Sequence, residues 1–176
     1  EWNFTNGGVD DLARTLFSCP HALLCYVIDY TTSGETHASR AFAAGLLLCI
    51  TIDGGETGLG KRPALAEHIG KLAALRKRCA DRVAHGRFRH TVGIASELAD
   101  GMVAYAFDSA DGPAVTIAAG EDGGAARVTL DRSRFQASDR ARPGALHRLS
   151  GESIATAASD TLEVELPPNQ VVVWYL

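Results

Sequence analysis

Near His90 the hydrophobic pattern of the chain changes period, and that change constrains the fold more than any other feature. Before it, short apolar runs alternate with stretches whose apolar residues recur every three or four positions. After it, apolar and polar residues alternate, with turn residues at short intervals. A helix-period pattern and a strand-period pattern suit different elements, so a βα segment gives way to a β-sheet module. The split divides the chain into residues 1–90 and 91–176.

The first segment reads as helix, strand, helix, strand, helix. Val9, Leu12, Ala13, Leu16 and Phe17 keep helical spacing, and Pro20 ends it. Leu23 to Ile28 is an apolar run closed by Asp29, as in a buried parallel strand. After the turn material Thr31-Thr32-Ser33-Gly34, a helix from Glu35 carries Ala38, Phe42, Gly45 and Leu46 on one face. Leu47 to Ile52 forms the next strand, closed by Asp53-Gly54-Gly55. Pro63 then opens a third helix, where a missing N–H costs nothing. Leu65, Ile69, Leu72, Cys79 and Val83 mark its apolar face, and Gly86 is its stop. Together these are two βα units of a parallel sheet.

The second segment reads as strands. Val103, Tyr105 and Phe107 alternate with Met102, Ala104 and Ala106, and Asp111-Gly112 signals a hairpin before Ala114–Ala118. Gly123-Gly124 precedes a strand over Arg127–Leu130, and Ser133 to Gly144 reads as a charged loop. Leu162, Val164 and Leu166 alternate again. Short strands at this spacing indicate an antiparallel β-sandwich. The run Val171–Leu176 is apolar at successive positions, so it belongs inside a sheet and not on an exposed edge. The fold class is therefore α/β followed by all-β.

Bulk properties exclude several classes. A content of 46% hydrophobic and 22% charged residues is that of a globular chain, and a net charge of −4 argues against a dedicated nucleic-acid binder. The basic run Lys71, Arg76, Lys77, Arg78, Arg82, Arg87 and Arg89 reads as the solvated face of a helix, with a phosphate-binding patch as the lesser alternative. No apolar run approaches the ~18 residues of a membrane span. The sequence opens on Glu1 without a secretory leader pattern, an upstream portion is expected, and localisation is not readable. Cys19, Cys25, Cys49 and Cys79 have neither CxxC nor zinc-finger spacing and are expected to be buried free thiols. No metal or cofactor is expected.

Two constellations carry chemistry. Asp29-Tyr30 and Asp53-Gly54-Gly55-Glu56 each follow an apolar strand directly. In parallel α/β folds the carboxyl ends of neighbouring strands face one pocket, where carboxylates serve as acid, base or sugar-hydroxyl acceptor. His37, in the first turn after the first strand, leans over the same rim. The competing reading makes Asp29 and Asp53 caps of turns or helix starts. The second constellation, Gly55-Glu56-Thr57-Gly58-Leu59-Gly60-Lys61, satisfies the GxxxxGK part of a phosphate-binding loop. It departs from that motif where Arg62 replaces the Mg²⁺-holding hydroxyl and Pro63 removes a backbone donor.

The order of these pieces resembles the end of a glycoside hydrolase, in which the last βα units of a (β/α)8 barrel lead into a C-terminal β-sandwich. The likeness rests on Ala41–Ile52 into Asp53-Gly54-Gly55, on Leu72-Ala73-Ala74-Leu75-Arg76-Lys77-Arg78, and on the exit Gly86-Arg87-Phe88. It continues in Val103–Phe107, Asp111-Gly112, Ala114–Ala118 and the closing Leu166-Pro167-Pro168-Asn169-Gln170-Val171-Val172-Val173. The resemblance implies an oligo- or polysaccharide substrate hydrolysed by two carboxyl groups. A full barrel takes roughly 250 residues, so the resemblance also implies a missing N-terminal barrel portion holding the principal catalytic acids. Asp29, Tyr30, His37, Asp53 and Glu56 are then substrate-pocket residues, the catalytic residues are unassigned, and the fragment alone is expected to be inactive. Nucleic acid and membrane are not expected partners. Two alternatives stand beside this reading: a nucleotide-binding domain using Gly55–Lys61, and a non-catalytic carbohydrate-binding or structural module.

Overall fold

A parallel strand pair needs a crossover between its members, and here the crossover is a helix. β1 (Cys25–Ile28) and β2 (Leu47–Ile50) pair in parallel with Cys25 beside Leu47 and Ile28 beside Ile50, and α2 (Glu35–Ala43) connects them. The computed structural model describes residues 8–19, 22–28, 34–50, 59–136, 144–156 and 159–176. Among the described residues there are two further α-helices, α1 (Val9–Ser18) and α3 (Pro63–Arg78).

The antiparallel part holds two sheets. One has six strands in the order β3-β5-β6-β11-β8-β9: β3 (Arg87–His90), β5 (Val103–Ser109), β6 (Gly112–Ala118), β8 (Ala145–Arg148), β9 (Ser153–Ala155) and β11 (Val171–Tyr175). The other has three strands in the order β10-β7-β4, formed by β4 (Ile94–Leu98), β7 (Gly124–Leu130) and β10 (Thr161–Leu166). The β5–β6 hairpin closes with Ser109 opposite Gly112, where Gly112 adopts φ 105° and Ser109 Oγ donates to its carbonyl at 2.9 Å. Neither turn residue, Ala110 or Asp111, takes positive φ; the positive-φ position follows at Gly112, where glycine tolerates it.

The six-stranded sheet is buried on both faces, which explains the apolar run at 171–175. Val171 and Val173 pack with Tyr105, Phe107 and Ala118 against the helices, in one cluster with Leu12, Phe42, Leu72 and Leu75. Val172 and Trp174 point the other way and meet Val115, Ile117 and Leu146, together with Val128, Leu130 and Leu166 of the three-stranded sheet. β11 lies between β6 and β8, with Trp174 opposite Val115 on one side and Leu146 on the other. Each such side chain gains about 1.5–3 kcal/mol on full burial, which makes this central layer the main source of stability. In β7 the alternation is plain: Ala126, Val128 and Leu130 are buried, while Ala125, Arg127 and Thr129 face water.

Several expectations are refined. The helical pattern from Leu65 to Val83 is not one α-helix: α3 ends at Arg78, and Ala80–Ala84 widens into a π-turn closed by His85 N–H to the Ala80 carbonyl at 2.9 Å. The basic run is only partly solvated. Arg82 is 3% exposed with its guanidinium 4.4 Å above the Tyr175 ring, and Arg76 donates to the Leu46 carbonyl at 2.7 Å while lying 5.2 Å over Phe42. Strands β3, β4, β8 and β9 have no counterpart in the sequence reading. All four cysteines are free, but only Cys79 is buried; Cys19 is exposed, and Cys25 and Cys49 are half-buried on the side of the strand pair away from the helices.

Candidate functional site

The strand pair fixes where a rim would be. Because Ile28 and Ile50 are register partners in parallel strands, the chain leaves both strands at the same end. The residues that follow in sequence, Asp29, Tyr30, Asp53 and Glu56, lie outside the described residues. Of the rim residues expected from the sequence, His37 is described. It stands exposed in the first turn of α2, its ring parallel to that of Tyr26 on β1 within 6° and centred 6.5 Å away. Tyr26 is half-buried against the helical core, so an apolar base supports an accessible imidazole.

The glycine-rich stretch is described from Leu59 onward. Leu59–Lys61 makes a single 3-10 turn in which Arg62 N–H donates to the Leu59 carbonyl at 2.9 Å, and α3 begins at Pro63. Lys61 is exposed. Arg62 makes no side-chain cap of the helix, and Pro63 has no N–H to offer an anion.

A second cluster lies where α1 meets β3 and β5, and nothing in the sequence spacing announced it. Asp10 of α1 accepts from the Tyr105 hydroxyl at 3.3 Å and pairs with Arg40 of α2 at 3.3 Å. Burial first, and then the neighbouring Asp10 charge, push the Tyr105 hydroxyl up to about 12, so it stays protonated at neutral pH. His90 completes the cluster. The β3–β5 register shifts between Phe88 and His90, and His90 takes φ 54°, which turns its ring to within 5.3 Å of Tyr105 and 6.0 Å of Phe17. A bulge that re-aims a side chain is a recurrent device of sheet edges. Burial, and secondarily Arg14, holds His90 below the usual histidine range.

A third polar group sits on the far edge of the large sheet, where His147 lies 2.6 Å from Ser153 Oγ and 2.8 Å from the Tyr175 hydroxyl. On the outer face of the three-stranded sheet, Glu97, Arg127, Glu163, Glu165, Ala99 and Ala125 line an open groove of about 580 Å³. Arg127 Nε approaches Glu163 at 3.4 Å there. Among the described residues, no three His, Cys, Asp or Glu side chains converge as metal ligands, and no helix is long and apolar enough to cross a membrane.

No family model matches the sequence, and no curated protein matches it. Solved structures that it matches include glycoside hydrolases. A GH30 endoxylanase from Clostridium papyrosolvens C71 has TM-score 0.49 and 13% identity, over 97% of this chain and 46% of the other. A GH27 β-L-arabinopyranosidase from Geobacillus stearothermophilus has TM-score 0.48 and 15% identity, over 82% and 30%. A family 30 subfamily 8 xylanase from Clostridium acetobutylicum has TM-score 0.37 and 11% identity, over 98% and 40%. The chain thus spans less than half the length of each. At these scores and identities nothing about substrate or catalysis passes from those proteins to this one.

Proposed function

We propose that this chain is the C-terminal portion of a glycoside-hydrolase-like carbohydrate-active enzyme. In this reading residues 1–90 contribute the last two βα units of a TIM-type barrel, and residues 91–176 form an accessory β-sandwich. Asp29, Tyr30, His37, Asp53 and Glu56 contribute one rim of an oligo- or polysaccharide pocket. The principal catalytic acids lie in an N-terminal barrel portion, so the chain alone does not hydrolyse glycosides.

The observation that carries the reading is the parallel alignment of Ile28 with Ile50 across an α-helical crossover. It sends two strand ends in one direction, and the sequence places Asp29 after one and Asp53 shortly after the other. A pocket at the carboxyl ends of parallel strands is where α/β proteins bind ligands. A parallel pair also normally lies within a larger sheet covered on both faces, which fits strands drawn from a barrel.

The test is a titration of the purified chain with a panel of neutral oligosaccharides, followed through the resonances of His37 and Tyr26. The expected result is a saturable shift of both, lost in Asp29→Asn and Asp53→Asn, with no turnover of aryl glycosides. Shifts at Leu59–Lys61 with ATP and Mg²⁺, abolished by Lys61→Ala, together with silence toward every sugar, would replace this reading by the nucleotide-binding one. Measurable glycoside turnover would overturn the assignment of the catalytic acids to an upstream portion.

A further inference from the structure

Cys25 of β1 and Cys49 of β2 stand on one face of the parallel strand pair. The register sets Cys25 beside Leu47 and Val27 beside Cys49, so the two thiols are diagonal neighbours on adjacent strands. Tyr26, Ile28 and Leu48 turn the other way, into the cluster with the helices. The cysteine face stays open: both thiols are half-buried and free, and Leu47 is 42% exposed. Burial first, and then the hydrogen bond and charge of Cys49, push the Cys25 thiol up, so each sulfur lies within reach of the other. Strands about 4.8 Å apart, with an offset of two residues at about 3.3 Å each, set the two Cα atoms about 8 Å apart. That exceeds the ~7 Å beyond which a disulfide cannot form without backbone movement. An ion held between the sulfurs lengthens the link by a second bond of about 2.3 Å, and the same separation then suits it.

We propose that Cys25 and Cys49 form a two-coordinate site for a soft, thiophilic monovalent cation of the copper(I) type. Ligand type decides the class of ion. Val27 and Leu47, the register partners of the two cysteines, bring neither oxygen nor nitrogen, so their face offers sulfur alone. Soft thiolates select copper(I), whereas hard cations take oxygen donors. Ligand number decides within the soft class. Structural zinc takes four ligands, and among the described residues no three His, Cys, Asp or Glu side chains converge. Copper(I) is satisfied by two sulfurs in line. Binding exchanges protons for metal: each thiol releases its proton to water as its sulfur–metal bond forms, and no oxidation state changes. Protons therefore compete with the ion, and affinity falls as pH falls.

The experiment titrates the intact, reduced chain with copper(I) under argon, in competition with a chromogenic copper(I) chelator. The wild type should retain a single ion per chain. Cys25→Ala and Cys49→Ala should each lose it, while Cys19→Ala, which changes the exposed thiol after α1, should keep it. Alkylation of the wild type, mapped by mass spectrometry, gives a second readout. Copper(I) should protect Cys25 and Cys49 together and leave Cys19 reactive. This arm needs no variant, so it decides the matter even where a variant does not fold. A mild oxidant in the absence of metal should leave Cys25 and Cys49 unlinked. The site does not exist if the wild type releases the ion to the chelator, if either single variant retains it, or if the ion protects only one of the two thiols. Ready formation of a Cys25–Cys49 disulfide overturns it as well, since the strands would then hold the sulfurs too close for an ion in line between them.

Discussion

Thr116 of β6 donates its hydroxyl proton to the Ala43 carbonyl across a distance of 2.7 Å, from a position with no solvent exposure. Ala43 is the last residue of α2, where a carbonyl has no partner within the helix. The central sheet thus satisfies the end of a helix that precedes it by more than sixty residues, and it does so through a β-branched residue suited to a strand. Thr116→Val keeps the shape and removes the donor. It should cost about 1–3 kcal/mol, read as a lower urea midpoint with an unchanged slope.

Trp174 is 1% exposed and lies in the strand that joins the two halves of the large sheet. Trp174→Ala should cost about 3–5 kcal/mol, since its neighbours Val115 and Leu146 are held by backbone pairing and cannot collapse into the space. Loss of a cooperative thermal transition in calorimetry is the expected result.

Gly86 stops the third helical run through proximity. A Cβ at that position would stand 2.0 Å from the Arg82 carbonyl oxygen and 3.3 Å from Phe107 Cβ. The nearest obstacle is backbone, which cannot rotate away. Gly86→Ala should therefore destabilise the chain by more than the ~1 kcal/mol typical of a point mutation, and the urea midpoint of the variant checks this.

Tyr105 sets an alkaline limit. Its folded pKa, pushed up to about 12, exceeds the unfolded value near 10. The stability it contributes is fully present below about pH 10 and is lost as pH rises toward its folded value. Unfolding free energies across that window should fall less steeply in Tyr105→Phe than in the wild type, and tyrosinate absorbance should show the matching late-titrating phenol.

The sequence made the helices and the long strands legible because their burial is one-sided or complete. α1 shows its period in Val9, Leu12 and Ala13, and β11 shows its central place through unbroken apolarity. β9 was illegible for the opposite reason: Ser153, Ile154 and Ala155 are all exposed on an edge, so no alternation is imposed. The π-turn at Ala80–Ala84 keeps a helical apolar spacing, and only the hydrogen-bond pattern distinguishes it. His37 lies in the first turn of α2, where its place in the sequence after the first strand put it. The contacts of Ser39 Oγ with His68 Nε2 and the Asn169 carbonyl were not legible, because these partners are 29 and 130 residues away and meet it only through tertiary packing.

The place of β11 also has a consequence in time. In the six-stranded sheet, β3, β5 and β6 lie on one side of it and β8 and β9 on the other, yet it follows all of them in the chain. During vectorial synthesis the two groups emerge first with nothing to bridge them, each showing an unpaired flank. Closure of the six-stranded sheet therefore waits for Val171–Tyr175, the strand that pairs with both β6 and β8.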